Sequence, residues 1–216
     1  ANYPEIVISA IPIATSFRHS AQNIAFHEVG RQAIMSDPDW CNGNYIDKKK
    51  RPEKGLSVAR MLAHITYLSE EAFQRKFGRN LQGKVSLAYG FKTDFQVESY
   101  LKHQGLAFVD RFDANSYLYI TRAMDYFDLP NQKKGGLKKI YKNSPVKFCV
   151  ISFTSDWVYP TKYSKEIVDS LNTVGADVSF VEIQTDKGHD AFLLDEKAFN
   201  ETIKGFLKAN ASKEGF

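Results

Sequence analysis

The chain has 216 residues, of which 43% are hydrophobic and 25% are charged, and its formal net charge is +4. This length and composition indicate a globular protein that can bury one good core, or one core and an appended layer. The sequence contains no run of 18 apolar residues and no signal-peptide pattern, which argues against membrane insertion and export. We therefore expect a cytoplasmic protein.

The charged and metal-binding residue types show little clustering. The one dense basic run, Lys48–Arg51, is typical of a solvated loop, and a nucleic-acid patch is the less favoured alternative. Cys41 and Cys149 have no metal-ligand spacing, and Cys149 lies in an apolar run, which predicts a buried thiol in a reducing compartment. We predict no metal site. Four of the five histidines show no mutual arrangement of metal ligands: His19, His27, His64 and His103.

The first half of the chain is predicted to be one strand followed by helices. A continuous apolar run over residues 6–13 suits a strand that is buried on both faces of a parallel sheet. Apolar residues at helical spacing then predict four helices, the first of which ends at Asp37–Pro38 because proline disfavours helix at the preceding residue. The predicted helices cover residues 20–36, 56–76, 95–104 and 115–126, and Lys133–Gly136 is predicted to be a linker.

The second half brings two polar motifs to the ends of two strands. The apolar run at 146–151 is followed by Asp156, and the strand pattern at 177–183 is followed by Gly188 and His189. An Asp and a His that follow neighbouring parallel strands lie side by side at one sheet edge, in the Asp-then-His order of the α/β-hydrolase triad. A solvent-facing loop histidine is the alternative interpretation.

This topology predicts a domain division. Helices separate the first strand from the second, and such an insertion lies as a lid over the active site. We expect a core formed by residues 1–19 and 130–216 and a helical lid formed by residues 20–129. His64 is predicted only to line this lid.

Several strings in the sequence resemble the homoserine O-acetyltransferase family. The densest match is Phe112–Asp128, which reads Phe-Asp-Ala-Asn-Ser-Tyr-Leu-Tyr-Ile-Thr-Arg-Ala-Met-Asp-Tyr-Phe-Asp. Further matching strings lie at 10–16, 22–26, 30–34, 37–40, 55–61, 65–70, 98–101, 155–156 and 188–193.

The resemblance implies the C-terminal part of an α/β-hydrolase fold, used for acyl transfer. In the family an acyl group moves from acyl-CoA, here expected to be acetyl-CoA, to a serine and then to the hydroxyl of L-homoserine, in methionine biosynthesis. His189 resembles the base that activates these hydroxyls, and Asp156 resembles the carboxylate that orients it. The resemblance also implies a homodimer built through the lid helices. No cofactor, nucleic acid or membrane is expected as a partner.

A homoserine site needs a cation for the carboxylate and an anion for the ammonium. By resemblance Arg60 binds the carboxylate in a bidentate contact, and Tyr67 adds its hydroxyl from two helical turns further along the same face. Asp190 would hold the ammonium. The alternatives are that Arg60 is a surface residue and that Tyr67 belongs to a core.

One departure from the family pattern concerns the nucleophile. The family has a Gly-x-Ser-x-Gly-like elbow, and this sequence contains none. By resemblance Ala1 falls near the end of the helix after that elbow, so we expect a C-terminal portion that is inactive alone. Two alternatives stay open: a serine hydrolase of the same fold, and a non-catalytic fragment whose helices form a subunit interface.

Overall fold

A computed structural model describes residues 2–132 and 134–214 of the chain. The chain divides into two units, one formed by Ala1–Arg18 with Phe127–Phe216 and the other by His19–Tyr126. We call them the α/β unit and the helical unit. Their roles as enzyme core and lid stay a prediction. Within the described residues, no helix is both long enough and apolar enough to cross a membrane.

The helical unit packs around a small core of its own. Ser20 caps the first helix through a reciprocal pair of hydrogen bonds with Asn23, a capping box. Two helices approach each other closely where Gly55 faces the backbone of Ala33. The lack of a side chain at Gly55 permits this approach, since a Cβ there would collide with that backbone. The helices are α1 (Ala21–Met35), α2 (Glu53–Tyr67), α3 (Glu70–Lys76), α4 (Gln96–Val109) and α5 (Ala114–Tyr126). The core contains Ile34, Tyr45, Leu56, Ala59, Val109 and Ala114.

The predicted helix over residues 56–76 is wrong as a single element. Leu68 has an extended backbone, with φ −103° and ψ 149°. Ser69 then accepts a hydrogen bond from the backbone N–H of Ala72 at 3.0 Å and so caps a new helix, α3. The chain therefore breaks between α2 and α3.

The α/β unit is built on a parallel sheet of three strands in the described residues. The strands are β1 (Ser9–Ala10), β2 (Lys147–Phe153) and β3 (Val178–Ile183), in the order β1-β2-β3. Ser9 pairs with Lys147, and Phe148 pairs with Val178. All of β2 after Lys147 is buried, as expected for a central strand covered on both faces.

Helices cover both faces of this sheet. They are α6 (Gly136–Tyr141), α7 (Thr161–Asn172) and α8 (Lys197–Glu214). Successive β2 residues alternate between two clusters: Phe148 and Val150 pack with Ile167 of α7, whereas Phe153 packs against Phe199 of α8. Cys149 is a buried free thiol, as predicted.

The N-terminal segment and the segment before α6 differ from the sequence predictions. The predicted first strand is mostly wrong, because Pro4–Ile6 forms a 3-10 turn and regular pairing covers only Ser9–Ala10, with an isolated bridge from Ile13 to Ile151. Ile6 is 75% exposed, and proline at the first turn position favours the turn. The predicted linker includes Lys133, which lies outside the described residues. Gly135 is the N-cap of α6 and Gly136 is its first residue, and both have positive φ.

Candidate active site

His189 lies on a loop that leaves the end of β3 and enters a 3-10 helix, His189–Leu193. The preceding residue, Gly188, has φ 78° and ψ −154°, a backbone region that is essentially restricted to glycine. Its N–H donates to the hydroxyl of Ser155 at 2.9 Å. The loop after β2 therefore fixes the backbone that carries His189.

Asp156 orients the His189 ring. The Nδ1 of His189 lies 2.8 Å from Oδ2 of Asp156, and the Asp156 side chain has no exposed surface. The other carboxylate oxygen accepts from the backbone N–H groups of Val158 at 2.9 Å and Tyr159 at 2.8 Å. Because a carboxylate only accepts, the His189 proton belongs on Nδ1, which leaves the Nε2 lone pair as a base.

Two aromatic rings contact the imidazole of His189. The Tyr159 ring lies 5.3 Å from the His189 ring between centroids, and the Phe192 ring lies 5.5 Å away at an edge-on angle of 77°. Only 15% of the His189 side chain is exposed. These contacts restrict rotation of the ring beyond what the Asp156 hydrogen bond achieves alone.

Polar contacts connect the two loops further. Thr154 donates its hydroxyl to the carbonyl of Thr185 at 3.0 Å and accepts from the N–H of Thr185 at 3.1 Å. Within the segment after β3, Lys187 forms an ion pair with Glu196 at 3.0 Å. The positions of Asp156 and His189 thus depend on a network that includes both loops.

The other predicted site residues lie in both units. Asp190 follows His189 in the 3-10 helix and is half-buried. Arg60 and Tyr67 lie on α2, where the Arg60 guanidinium stacks 5.8 Å from the Tyr67 ring centroid and 4.7 Å from that of Phe108. Among the described residues Arg60 forms no ion pair, and its Nε is buried without a hydrogen-bond partner.

The sequence predicts no mutual arrangement of His19 and His27, but the fold of the helical unit brings both to Asp125. Nδ1 of His19 and Nδ1 of His27 lie 3.1 Å and 2.8 Å from Oδ1 of Asp125, and these ligand atoms are close enough together to hold a metal ion. Arg31 donates to the other carboxylate oxygen of Asp125 at 2.7 Å. Burial acts to raise the pKa of Asp125, but hydrogen bonds from these three residues hold that pKa below its ordinary value. A guanidinium in contact with the carboxylate disfavours a divalent cation there, so we interpret the cluster as structural.

Known proteins are similar to this chain in sequence. The chain is 62% identical over 215 residues to a homoserine O-acetyltransferase of Mesorhizobium japonicum, and the match covers 100% of this chain and 55% of that protein. It is 63% identical to a homoserine O-acetyltransferase of Rhodospirillum rubrum, and the match covers 99% of this chain and 55% of that protein. Over its whole length the chain is homologous to homoserine O-acetyltransferases. It spans about half the length of the curated relatives it matches.

Solved structures with a similar fold support the architecture. A homoserine O-acetyltransferase from Bacillus anthracis matches with a TM-score of 0.84 at 23% identity, covering 95% of this chain and 54% of that one. The esterase E22 matches with a TM-score of 0.80 at 22% identity, covering 95% of this chain and 55% of that one. The predicted α/β-hydrolase fold is confirmed, in partial form. No protein-family model matches the chain.

Several residues of the site were not predicted as such. Ser155 was noted only as part of a matching string, yet its hydroxyl accepts from the Gly188 N–H. The backbone N–H groups that bind Asp156 carry no sequence signal, because almost any residue can donate a backbone hydrogen bond. The contact of the Tyr159 ring with His189 depends on the fold and is not visible in the sequence either. A glycine directly before a candidate catalytic histidine is the one signal that indicated a special backbone conformation.

Proposed function

We propose that this chain supplies the base and its orienting carboxylate to an enzyme that transfers an acyl group from acyl-CoA, preferably acetyl-CoA, to the hydroxyl of L-homoserine. The supporting observation is the 2.8 Å contact between His189 and Asp156 in a chain that is 62% identical to a homoserine O-acetyltransferase. Such a product would serve methionine biosynthesis. The reaction needs no resident cofactor.

The proposed chemistry is a two-step exchange. A serine outside these 216 residues gives its proton to Nε2 of His189 and attacks the thioester, the carbon–sulfur bond breaks, and the departing thiolate takes the proton. In the second step Nε2 accepts the proton of the homoserine hydroxyl, whose oxygen attacks the acyl-serine, and the serine regains a proton from the imidazolium. Asp156 keeps Nδ1 protonated throughout and stabilises the imidazolium.

The amino-acid substrate is proposed to bind through its two charges. Arg60 would donate hydrogen bonds to the carboxylate, since its guanidinium has no ion-pair partner among the described residues. Tyr67 would add its hydroxyl. Asp190 would bind the ammonium from its position next to the base.

The assembly and location are also proposals. We propose a homodimer formed through the helical unit, since α5 exposes Tyr119 (78%), Ile120 (50%) and Tyr126 (75%). Two free cysteines, one of them buried, support a reducing cytoplasm.

The test uses the full-length protein with acetyl-CoA and L-homoserine, and mass spectrometry identifies the product. His189→Ala is expected to lower kcat about 10³-fold or more, and Asp156→Asn is expected to lower it by a similar factor. His103→Ala, at an exposed position on α4, is the matched control and should retain activity. Full activity of His189→Ala would overturn the assignment of the base. Release of free acetate instead of O-acetylhomoserine would indicate a hydrolase of the same fold.

A further inference from the structure

His64 of the helical unit lies beside Arg60 and takes part in neither the Asp125 cluster nor the proposed chemistry. His64 follows Arg60 by four residues on α2, so the two side chains occupy the same face of the helix. Its Nδ1 lies 3.1 Å from the Tyr100 hydroxyl, and the two rings meet edge-on at 5.7 Å. Its other ring nitrogen, Nε2, is buried and has no hydrogen-bond partner in the described part of the chain.

Arg60 and His64 therefore share an unusual property. Each has a buried nitrogen that lacks a partner, and each lies near the Tyr67 ring, at 5.8 Å for the Arg60 guanidinium and 6.2 Å for the His64 ring. A buried polar group without a partner destabilises the fold, because it has lost its hydrogen bonds to water. Two such groups on one helix face are better explained by a ligand that pairs with both than by independent packing defects.

The surrounding charges indicate the sign of that ligand. Burial and the nearby cations Arg60, Lys76 and Arg111 lower the pKa of His64 to about 4, so its ring is neutral at physiological pH. The Tyr100 hydroxyl can donate to Nδ1 of a neutral ring, and the ring proton then lies on Nε2 as a donor. The neighbourhood thus offers N–H donors and positive charge, and Arg60 has no carboxylate partner among the described residues.

We propose that Nε2–H of His64 and Nε–H of Arg60 together bind the carboxylate of the amino-acid substrate, which makes His64 a specificity-determining residue. This inference rests on the proposed function, since that function supplies a substrate with a free carboxylate. Both nitrogens are shielded from bulk water, so a ligand has to part the neighbouring rings to reach them. Once bound, the carboxylate would be desolvated, which strengthens its hydrogen bonds to both donors. Tyr100 acts as a positioning residue because it fixes the His64 tautomer.

The kinetic test compares His64→Leu with His64→Gln in the full-length protein. Leucine removes the donor, so the KM for L-homoserine should rise about 10- to 100-fold, whereas the burst of CoA released by acetyl-CoA alone should be unchanged. Glutamine offers an amide N–H close to the Nε2 position and should restore much of the loss. His103→Gln is the matched control. A rise in the KM for acetyl-CoA alone would assign the site to the donor's phosphates and overturn the inference.

A second measurement does not depend on turnover or on variants that fold. In wild-type protein with ¹⁵N-labelled histidine, NMR would follow the His64 ring nitrogens during titration with L-homoserine and with its carboxamide. We expect the His64 Nε2 resonance to shift with homoserine and not with the amide, while His103 stays unchanged. Equal responses to both compounds, or none, would overturn the inference. Absence of acyl transfer by the wild-type enzyme would instead refute the proposed function, and the NMR result would still decide the role of His64.

Discussion

Gly188 sets the direction in which the chain enters the 3-10 helix that begins with His189. Its φ of 78° and ψ of −154° lie in a region that costs other residues about 1–3 kcal/mol. In Gly188→Ala the backbone should relax and displace His189 from Asp156. We expect kcat of the full-length protein to fall about 10- to 100-fold, because small displacements of a catalytic group cost that much.

Gly175→Ala provides the control for this change. Gly175 also has a positive φ, 70°, but it lies between α7 and β3, and no heavy atom lies within 4 Å of the position of an added Cβ. This variant should lose comparable stability in thermal unfolding and retain kcat. If both variants keep wild-type kcat, the Gly188 conformation does not position the base.

His64 also predicts a pH dependence of stability. Its pKa is lowered to about 4 in the folded chain, whereas the ordinary value is 6.5. Between these values the unfolded chain binds a proton that the folded chain does not, so stability falls as the pH decreases from about 6.5 to 4 and is unaffected above that range. The decrease in urea midpoint between pH 7 and pH 4.5 should therefore be smaller in His64→Leu than in the wild type. His27, whose pKa is also lowered, contributes equally to both proteins and cancels. An unchanged pH slope in the variant would contradict the prediction.

At the scale of elements, Asp125 connects α5 to α1. Its carboxylate and the Arg31 guanidinium are both 3% exposed and lie 2.7 Å apart, and His27 on α1 contacts the same carboxylate. Asp125→Asn would leave the buried Arg31 guanidinium, among its described contacts, with the half-exposed Glu28 as its one anionic partner. We expect the free energy of unfolding to decrease by about 3 kcal/mol, since breaking a buried ion pair leaves an uncompensated charge.

Glu53→Gln is the control for Asp125→Asn. Glu53 pairs with Arg51 at 3.6 Å, and both side chains are more than half exposed. Such a surface pair contributes less than about 1 kcal/mol, so this variant should unfold close to wild type in urea. Equal effects of the two substitutions would mean that burial does not strengthen the contact between α1 and α5.

The sequence predicted elements well where burial leaves a clear pattern. The apolar run before Asp156 and the alternation before Gly188 correspond to β2 and β3. The run over residues 6–13 predicted too long a strand, because apolar character alone does not show that a neighbouring strand is present. The break at Ser69 went unnoticed, since a serine within a helical pattern can face solvent or cap a new helix. Helix α7 was not predicted, although Ser164, Ile167 and Leu171 form its buried face at helical spacing.

One part of the candidate site, the pair Asp156 and His189, was predictable from the sequence, because parallel strands bring their C-terminal ends to the same edge of a sheet. That rule placed Asp156 next to His189, and the structure has the hydrogen bond at 2.8 Å. The roles of Arg60, Tyr67 and Asp190 came from family resemblance and stay predictions. The polar atoms without partners on His64 and Arg60 were invisible in the sequence, because satisfaction of a hydrogen bond depends on neighbours that are distant along the chain.

At the scale of the whole molecule, the proposed dimer depends on one helix. Helix α5 buries Ala114 and Thr121, and Tyr117 and Leu118 pack against the helical core, whereas Tyr119, Ile120, Met124 and Tyr126 are exposed. Exposed apolar groups of this kind stabilise a protein when a partner covers them. A charge placed among them would have to be buried in the dimer, at a cost that favours the monomer.

Ile120→Glu in the full-length protein should therefore shift the molecular mass in solution from dimer to monomer at micromolar concentration, measured by light scattering after gel filtration. Leu207→Glu is the matched control: Leu207 is 50% exposed, like Ile120, but lies on α8 of the α/β unit. That variant should remain dimeric, because the proposed interface does not include α8. A wild-type protein that is monomeric, or an Ile120→Glu variant that stays dimeric, would show that α5 is not the interface. Dissociation by both variants alike would point to a general loss of stability, which thermal unfolding of the two variants would reveal as equal decreases in Tm.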